Sequence, residues 1–188
     1  MDTGTYAVFS SLLAGSIRSL LLWRASTSVE VVNVAVLSAL AQGRGQDLDG
    51  LLRGAGSGLY LEVARAIGRA ALELRDTADR QASHQHLERA ARAAIIVAGQ
   101  RLRRHAWLDF VSLAALVYAG IDAAIYGRAT PFKAVALLAA TLLWLANLRS
   151  ARAIATRTYA GASALVETAL QGFAQLPDFT GPSRPSPP

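Results

Sequence analysis

Asp122 is a carboxylic acid set inside an apolar run, AWLDFVSLAALVYAGIDAAIY, that begins at Ala106. About sixteen residues of helix place it roughly 24 Å from the start of that run. A carboxylate at such a depth in hydrocarbon must pair with a cation, face a polar cavity or take up a proton. Arg128 and Lys133 are the cations close enough in sequence to meet it. At 100° per residue Val111, Ala115 and Tyr118 share its helix face, whereas Asp109 points away by about 140°. Thr141, in the apolar run that follows, carries a hydroxyl that either lines the same cavity or bonds its own i−4 carbonyl. Asp122, Tyr118 and Thr141 are therefore the candidate pore-lining or proton-relay residues.

The other chemistry-bearing residues point elsewhere. Gly54, Gly56 and Gly58 resemble a phosphate cradle in spacing, but no strand precedes them and no Gly-Lys-Ser/Thr follows, so they read as a hinge between helices. His84 and His86 are two apart, and on a helix they face different sides rather than forming a metal fork. The sequence has no cysteine, so neither disulfides nor thiolate metal sites arise. No Ser/His/Asp spacing recommends a hydrolase, and no enzyme activity, metal or cofactor is expected. Arg101, Arg103 and Arg104, with His105, form a basic collar just before the apolar run; Arg149 and Arg152 stand just after the second one. Both groups read as interface anchors on anionic lipid. Asp109, one turn past His105, reads as its structural i,i+4 partner.

These residues need helices long enough to hold them in a membrane. With 53% hydrophobic residues, the 188-residue chain suits a small helical membrane protein better than an average soluble domain. Its net charge of +6 is almost all arginine, Lys133 being the one lysine, and the arginines crowd the ends of apolar segments. That distribution argues for membrane topology rather than nucleic acid. No basic n-region precedes the first apolar run, so a cleavable signal peptide is not expected.

In chain order, Tyr6 to Trp23 is the first expected span, with Arg18 snorkelling to an interface near its end. Ser26 to Gln42 is expected to be a helix, with Ser26 or Thr27 and Glu30 as a capping box. Asp47 to Arg53 is a short polar helix. From Leu59 to Arg104 an amphipathic pattern predicts one long helix, Leu59, Val63, Ile67, Ala71 and Leu74 sharing a face, with kinks near Ser83 and Gly99. The second and third spans form a hairpin from 106 to 148, turning at Gly127 and Pro131. Residues 149–176 continue as helix, and the Pro-rich stretch 177–188 is expected to be a disordered tail.

Arginine counts set the orientation. Twelve lie between Arg24 and Arg104 and four follow the hairpin, against only Arg128 at its turn and none in the first ten residues. The expectation is an all-α membrane protein of three transmembrane helices: 1–24 the first segment, 25–105 a cytoplasmic helical domain, 106–148 the hairpin and 149–176 a cytoplasmic helix, N-terminus outside and C-terminus in the cytoplasm.

This layout resembles the MotA/TolQ/ExbB proton-channel family. The order of one span, a large helical insertion, two closely spaced spans and a final helix carries the likeness. Locally, LAQGRGQDLDGLL (40–52) is similar to the family's small helical region after the first span, and RLRRHAWLDFVSLAALVYAGID (101–122) to its approach into the second. Members usually have a Pro-Leu-Leu-Gly-Leu-Leu-Gly-Thr-Val-like run where this chain has SLAALVYAGIDAA; the alignment puts Asp122 at the family's pore threonine. Ala136 to Thr141 is similar to the third-span Ala-Leu-x-x-Thr segment. The resemblance implies a bacterial inner-membrane pentamer around ExbD/TolR/MotB-like single-span partners, which normally contribute the titrating Asp. The function it implies is an ion-driven motor subunit; the alternative is a non-conducting scaffold that recruits a partner complex through its cytoplasmic helices.

Overall fold

Three helical runs of this chain are long and apolar enough to cross a membrane: Thr3–Ala41, His84–Ile125 and Pro131–Gln171. The computed structural model describes residues 2–26, 28–41, 48–54, 58–74, 80–126 and 130–175, and all regular structure among them is helical. The first run is α1 (Thr3–Ala25) followed by α2 (Val29–Ala41). After α3 (Leu48–Gly54) and α4 (Leu59–Glu73), the second run is α5 (Arg80–Arg104) and α6 (Trp107–Ile125). The third is α7 (Pro131–Gln175), a single helix of 45 residues, about 68 Å long.

The molecule is two layers threaded by α7. In one, α1, α6 and α7 pack against one another; in the other, α2, α4 and α5 pack around the second half of α7, with α3 against α2 and α4. The first layer is inverted relative to a water-soluble core. Leu13, Phe110 and Val135 are among many large apolar side chains exposed on its outside, whereas its interior holds Gly4, Ser11, Arg18, Ser112, Asp122, Lys133 and Asn147. In hydrocarbon the outside costs nothing to expose, and close packing with interhelical hydrogen bonds drives association instead. The second layer is built the ordinary way. Val32 and Val36 of α2, Leu48 and Leu52 of α3, Tyr60, Val63 and Ile67 of α4, Leu87 of α5 and Leu165 of α7 share one buried cluster. Each fully buried aliphatic side chain there is worth roughly 1.5–3 kcal/mol.

Several expectations change. The 59–104 segment is two helices, not one: α4 and α5 pack on each other, so the chain reverses between them. The physical reason is burial. Both helices carry an apolar face, and a straight rod would leave α4's uncovered. At Ser83 and Gly99, where the pattern predicts kinks, α5 is continuous helix. The Leu59/Val63/Ile67/Ala71 face does lie inward, joined by Tyr60 and Ala64. Ser26 closes α1 rather than opening α2: it is extended, and its N–H donates to the Leu22 and Trp23 carbonyls at 3.0 and 3.1 Å. Thr27, the turn at 127–129, the hinge at 55–57 and the tail at 177–188 lie outside the described residues.

Short 3₁₀-like bonds join α5 to α6. Ala106 N–H donates to Arg103 O at 2.8 Å and Asp109 N–H to Ala106 O at 3.0 Å, so the backbone continues with a tightened turn. On α7, Thr130 caps the N-terminus, its hydroxyl accepting from Lys133 N–H at 3.2 Å, and Pro131 occupies the first helical position, where it lacks only an N–H that would go unused. The cap fixes the register in which Lys133 meets α1.

Candidate functional site: a polar seam inside the apolar layer

Seven-residue spacing on α1 aligns Gly4, Ser11 and Arg18 along one edge, since seven residues are close to two turns. α6 runs antiparallel along that edge and presents Asp122, Ser112 and Asp109 to them in turn. On α7, which runs parallel to α1, Lys133, Ala140 and Asn147 repeat at the same interval and are all buried. The result is a seam of three polar levels in a layer otherwise apolar.

At the end nearest the second layer, Arg18 Nε donates to Asp109 Oδ2 at 3.2 Å, and its Nη1 donates to the Leu102 carbonyl at 3.3 Å. The Arg18 side chain is only 4% exposed, so it points into the bundle instead of snorkelling to an interface. An inward acceptor on α6 and a free carbonyl near the α5–α6 joint satisfy it there, which the isolated α1 sequence does not disclose. Asp109 accordingly pairs with Arg18 and not with His105.

The middle level is neutral. Ser11 and Ser112 hydroxyls lie 2.8 Å apart, and each also reaches the other's backbone carbonyl, at 3.1 and 3.3 Å. One turn further along, at the Arg18 level, Asn147 Nδ2 donates to the Gly15 carbonyl at 2.9 Å while its Oδ1 accepts from Ser19 at 2.7 Å. These bonds lock α1 to both neighbours without any charge.

At the opposite end stands a three-charge cluster. Asp122 is 3% exposed and Lys133 6%. Lys133 Nζ is 3.6 Å from Asp122 Oδ2 and also bonds Asp2 Oδ2. Asp2 Oδ1 accepts from both the Thr5 amide, at 2.9 Å, and the Thr5 hydroxyl, at 2.7 Å, so the same residue caps α1 and holds α7. The Lys133 ammonium, with help from Thr5, keeps the Asp2 carboxyl well below the usual carboxylate range. Gly4 is required here by close approach: a Cβ on it would fall 2.1 Å from Asp122 Oδ2. Among the described residues, Lys133 is thus shared by two carboxylates, Asp2 and Asp122.

The sequence candidates separate in space. Asp122 is on the seam, at the edge of the α6 face formed by Ser112, Leu116 and Ala119. That face is rotated by about 100° from the Val111/Ala115/Tyr118 stripe. Tyr118 is 51% exposed on the outer surface. Thr141 is also exposed, and its hydroxyl donates to Leu137 O at 2.8 Å, closing on its own helix. Neither lines a cavity with Asp122. Of the arginines, Arg101 bonds Glu62 and ties α5 to α4, while Arg103, Arg104, Arg149 and Arg152 are exposed. His84 stands 3.8 Å from Glu88 and His86 3.9 Å from Glu73, facing different partners. Among the described residues no group of His, Asp or Glu could hold a metal ion.

Sequence reasoning passed over Asp2, Gly4, Ser11, Ser112 and Asn147. A signal existed: the seven-residue recurrence of small or polar residues in α1, and of Lys133, Ala140 and Asn147 in α7. No family model matches this chain, and neither a curated protein nor a solved structure does.

Proposed function

We propose that this chain is a subunit of an ion-driven energy-transducing complex of the MotA/TolQ/ExbB kind, assembling as a homo-oligomer, most simply a pentamer, with single-span partners in the bacterial inner membrane. The observation that carries the reading is the continuity of α7. One helix of 45 residues belongs to both layers, and α1–α2 and α5–α6 cross between them with only short breaks. A displacement of the apolar layer therefore moves the second layer as a unit, which is the mechanical property such a subunit needs. The exposed faces of α6 and α7 supply the assembly surface: they are apolar and include Tyr118 and Thr141. In this arrangement the second layer is cytoplasmic, and Arg103, Arg104, Arg149 and Arg152 meet anionic lipid at its border.

A specific observation favours the scaffold as a second reading. Asp122 closes on Lys133 within the protomer. A carboxylate neutralised by a neighbour on the next helix can serve architecture alone. Asp122→Asn separates the readings, because it keeps shape and hydrogen bonding while removing titration. Proton flux is measured in vesicles containing the complex purified with its single-span partner. The motor reading expects flux to fall at least tenfold in the variant; flux equal to wild type removes Asp122 from the proton path, and flux in neither protein establishes the scaffold.

Topology gives an independent check, made simple by the lack of cysteine. Single cysteines at Thr3 and Ala129 are expected to react with an impermeant thiol reagent from outside, and one at Ser186 only from the cytoplasmic side. Labelling of Thr3 and Ser186 from the same side would overturn the three-span arrangement.

A further inference from the structure

A groove of about 630 Å³ runs between α5 and the second half of α7. Its floor is apolar, made by Ala91 and Ile95 from α5 and Val166 and Leu170 from α7. Its rim is charged: Glu88 and Arg92 on one side, Glu167 on the other. Tyr159 also lines it and is 64% exposed, an aromatic residue standing open beside an apolar trough. The seam described above does not use any of these residues.

We propose that residues 176–188 of this same chain fold back and occupy the groove. Reach permits it. The α7 side of the groove extends from Tyr159 to Gln171, about 18 Å of helix, and α7 ends four residues later at Gln175. Thirteen residues follow. In an extended polyproline II conformation they cover about 40 Å, enough for a reversal and the full length of the groove. Pro177 supplies the exit, since proline removes a backbone donor and steers the residue before it out of helix.

Composition fits the same occupant. Pro182, Pro185 and Pro188 recur every third residue, which places them along one edge of a three-residue-per-turn helix. Such an edge docks in shallow aromatic-lined grooves, and its stiffness limits the entropy lost on binding. Charges match as well. Arg184 is the only cation in the segment, and Glu167 on the α7 side of the rim offers it a carboxylate, whereas Glu88 on the α5 side pairs with Arg92 at 3.0 Å. The occupied groove shields Tyr159 and fastens α5 to α7 in the layer farthest from the seam.

The test is cross-linking in the full-length chain, again exploiting the absence of native cysteine. Ser163→Cys on the groove is combined with Ser183→Cys in the segment and oxidised with copper phenanthroline in mild detergent. The expected product is an intramolecular disulfide, seen as a monomer of altered mobility that reverts on reduction. Adding Pro182→Gly and Pro185→Gly, or Glu167→Arg, should lower its yield at least threefold. Disulfide dimers without the intramolecular product would mean that the segment of a second copy fills the groove, and would overturn the proposal. Absence of any disulfide, or a yield insensitive to the proline and charge changes, would overturn it too. Because proton flux plays no part in this readout, its failure and the failure of the functional reading are separable.

Discussion

Replacing Lys133 by methionine should destabilise the apolar layer by about 3 kcal/mol or more, and adding Asp122→Asn should restore most of the loss. Methionine has nearly the reach of lysine and packs as well, so the effect isolates charge. In the native protein the ammonium faces Asp122 at 3.6 Å and also holds Asp2. Taking it away removes one cation from beside a carboxylate that is 3% exposed, and breaking a buried pair costs about 3–5 kcal/mol. The Asn variant removes the buried negative charge while its amide still fits beneath Gly4. Asp122→Asn alone should cost much less, because Lys133 keeps Asp2. Unfolding of each variant in mixed micelles measures the cycle. If the double variant is no more stable than Lys133→Met, the cluster is not held by charge neutralisation and the account of the seam's outer level fails.

The second large effect belongs to the other layer. Tyr60 is 1% exposed and its hydroxyl donates to Asn33 Oδ1, so one side chain from α4 touches α2. Its ring also lies against α7, where a Cβ added at Gly161 would come within 2.9 Å of it. Tyr60→Ala should therefore cost about 3–5 kcal/mol, the range for emptying an aromatic site in a packed core. Tyr60→Phe should cost about 1–2 kcal/mol, chiefly from leaving the Asn33 carbonyl without its donor. The pH dependence follows from burial, which outweighs the Asn33 bond and pushes the phenol up to about 12. A raised folded-state value means that the neutral phenol stabilises the fold fully below about pH 10, where the unfolded chain also keeps its proton. That contribution is lost as pH rises from 10 to 12. Thermal melting of wild type should fall across this window with a component missing in Tyr60→Phe; identical alkaline profiles would remove Tyr60 as the responsible group.

The long apolar runs were legible because twenty apolar residues bounded by arginines admit few interpretations. Tyr6 to Trp23 became α1, Thr3–Ala25, and the first hairpin limb became α6, Trp107–Ile125. The reversal between α4 and α5 was not legible. Arg75 to Asp79 contains neither glycine nor proline, and the one cue is the lack of any large apolar residue between Leu74 and Leu87. Only the need to cover two apolar faces, a tertiary demand, breaks the rod. At the seam, an acid buried in hydrocarbon could be recognised from one segment, and Lys133 stood among its two candidate partners. Asp2 could not, because its bond to Lys133 joins positions 131 apart in sequence. Arg18 was misplaced for a related reason: its acceptors, Asp109 and the Leu102 carbonyl, sit on elements that the local sequence of α1 does not mention.

The core of the second layer draws Val32 and Val36 from near the start of the chain and Leu165 and Val166 from near its end. Synthesis proceeds from the first residue to the last, so this core has no closing wall until α7 is almost complete. Until then, the α2, α3, α4 and α5 segments have emerged with the side of their shared cluster that α7 covers still open, while the seam between α1 and α6 already has both of its strips. Order of assembly is thereby written into the topology: the charged and hydroxyl-bearing layer can zip first, and the aliphatic layer waits for the far end of α7. For the newborn chain, the vulnerable interval is the translation of the last quarter, when an unclosed aliphatic surface hangs beside a half-finished bundle and chaperone or protease access is greatest.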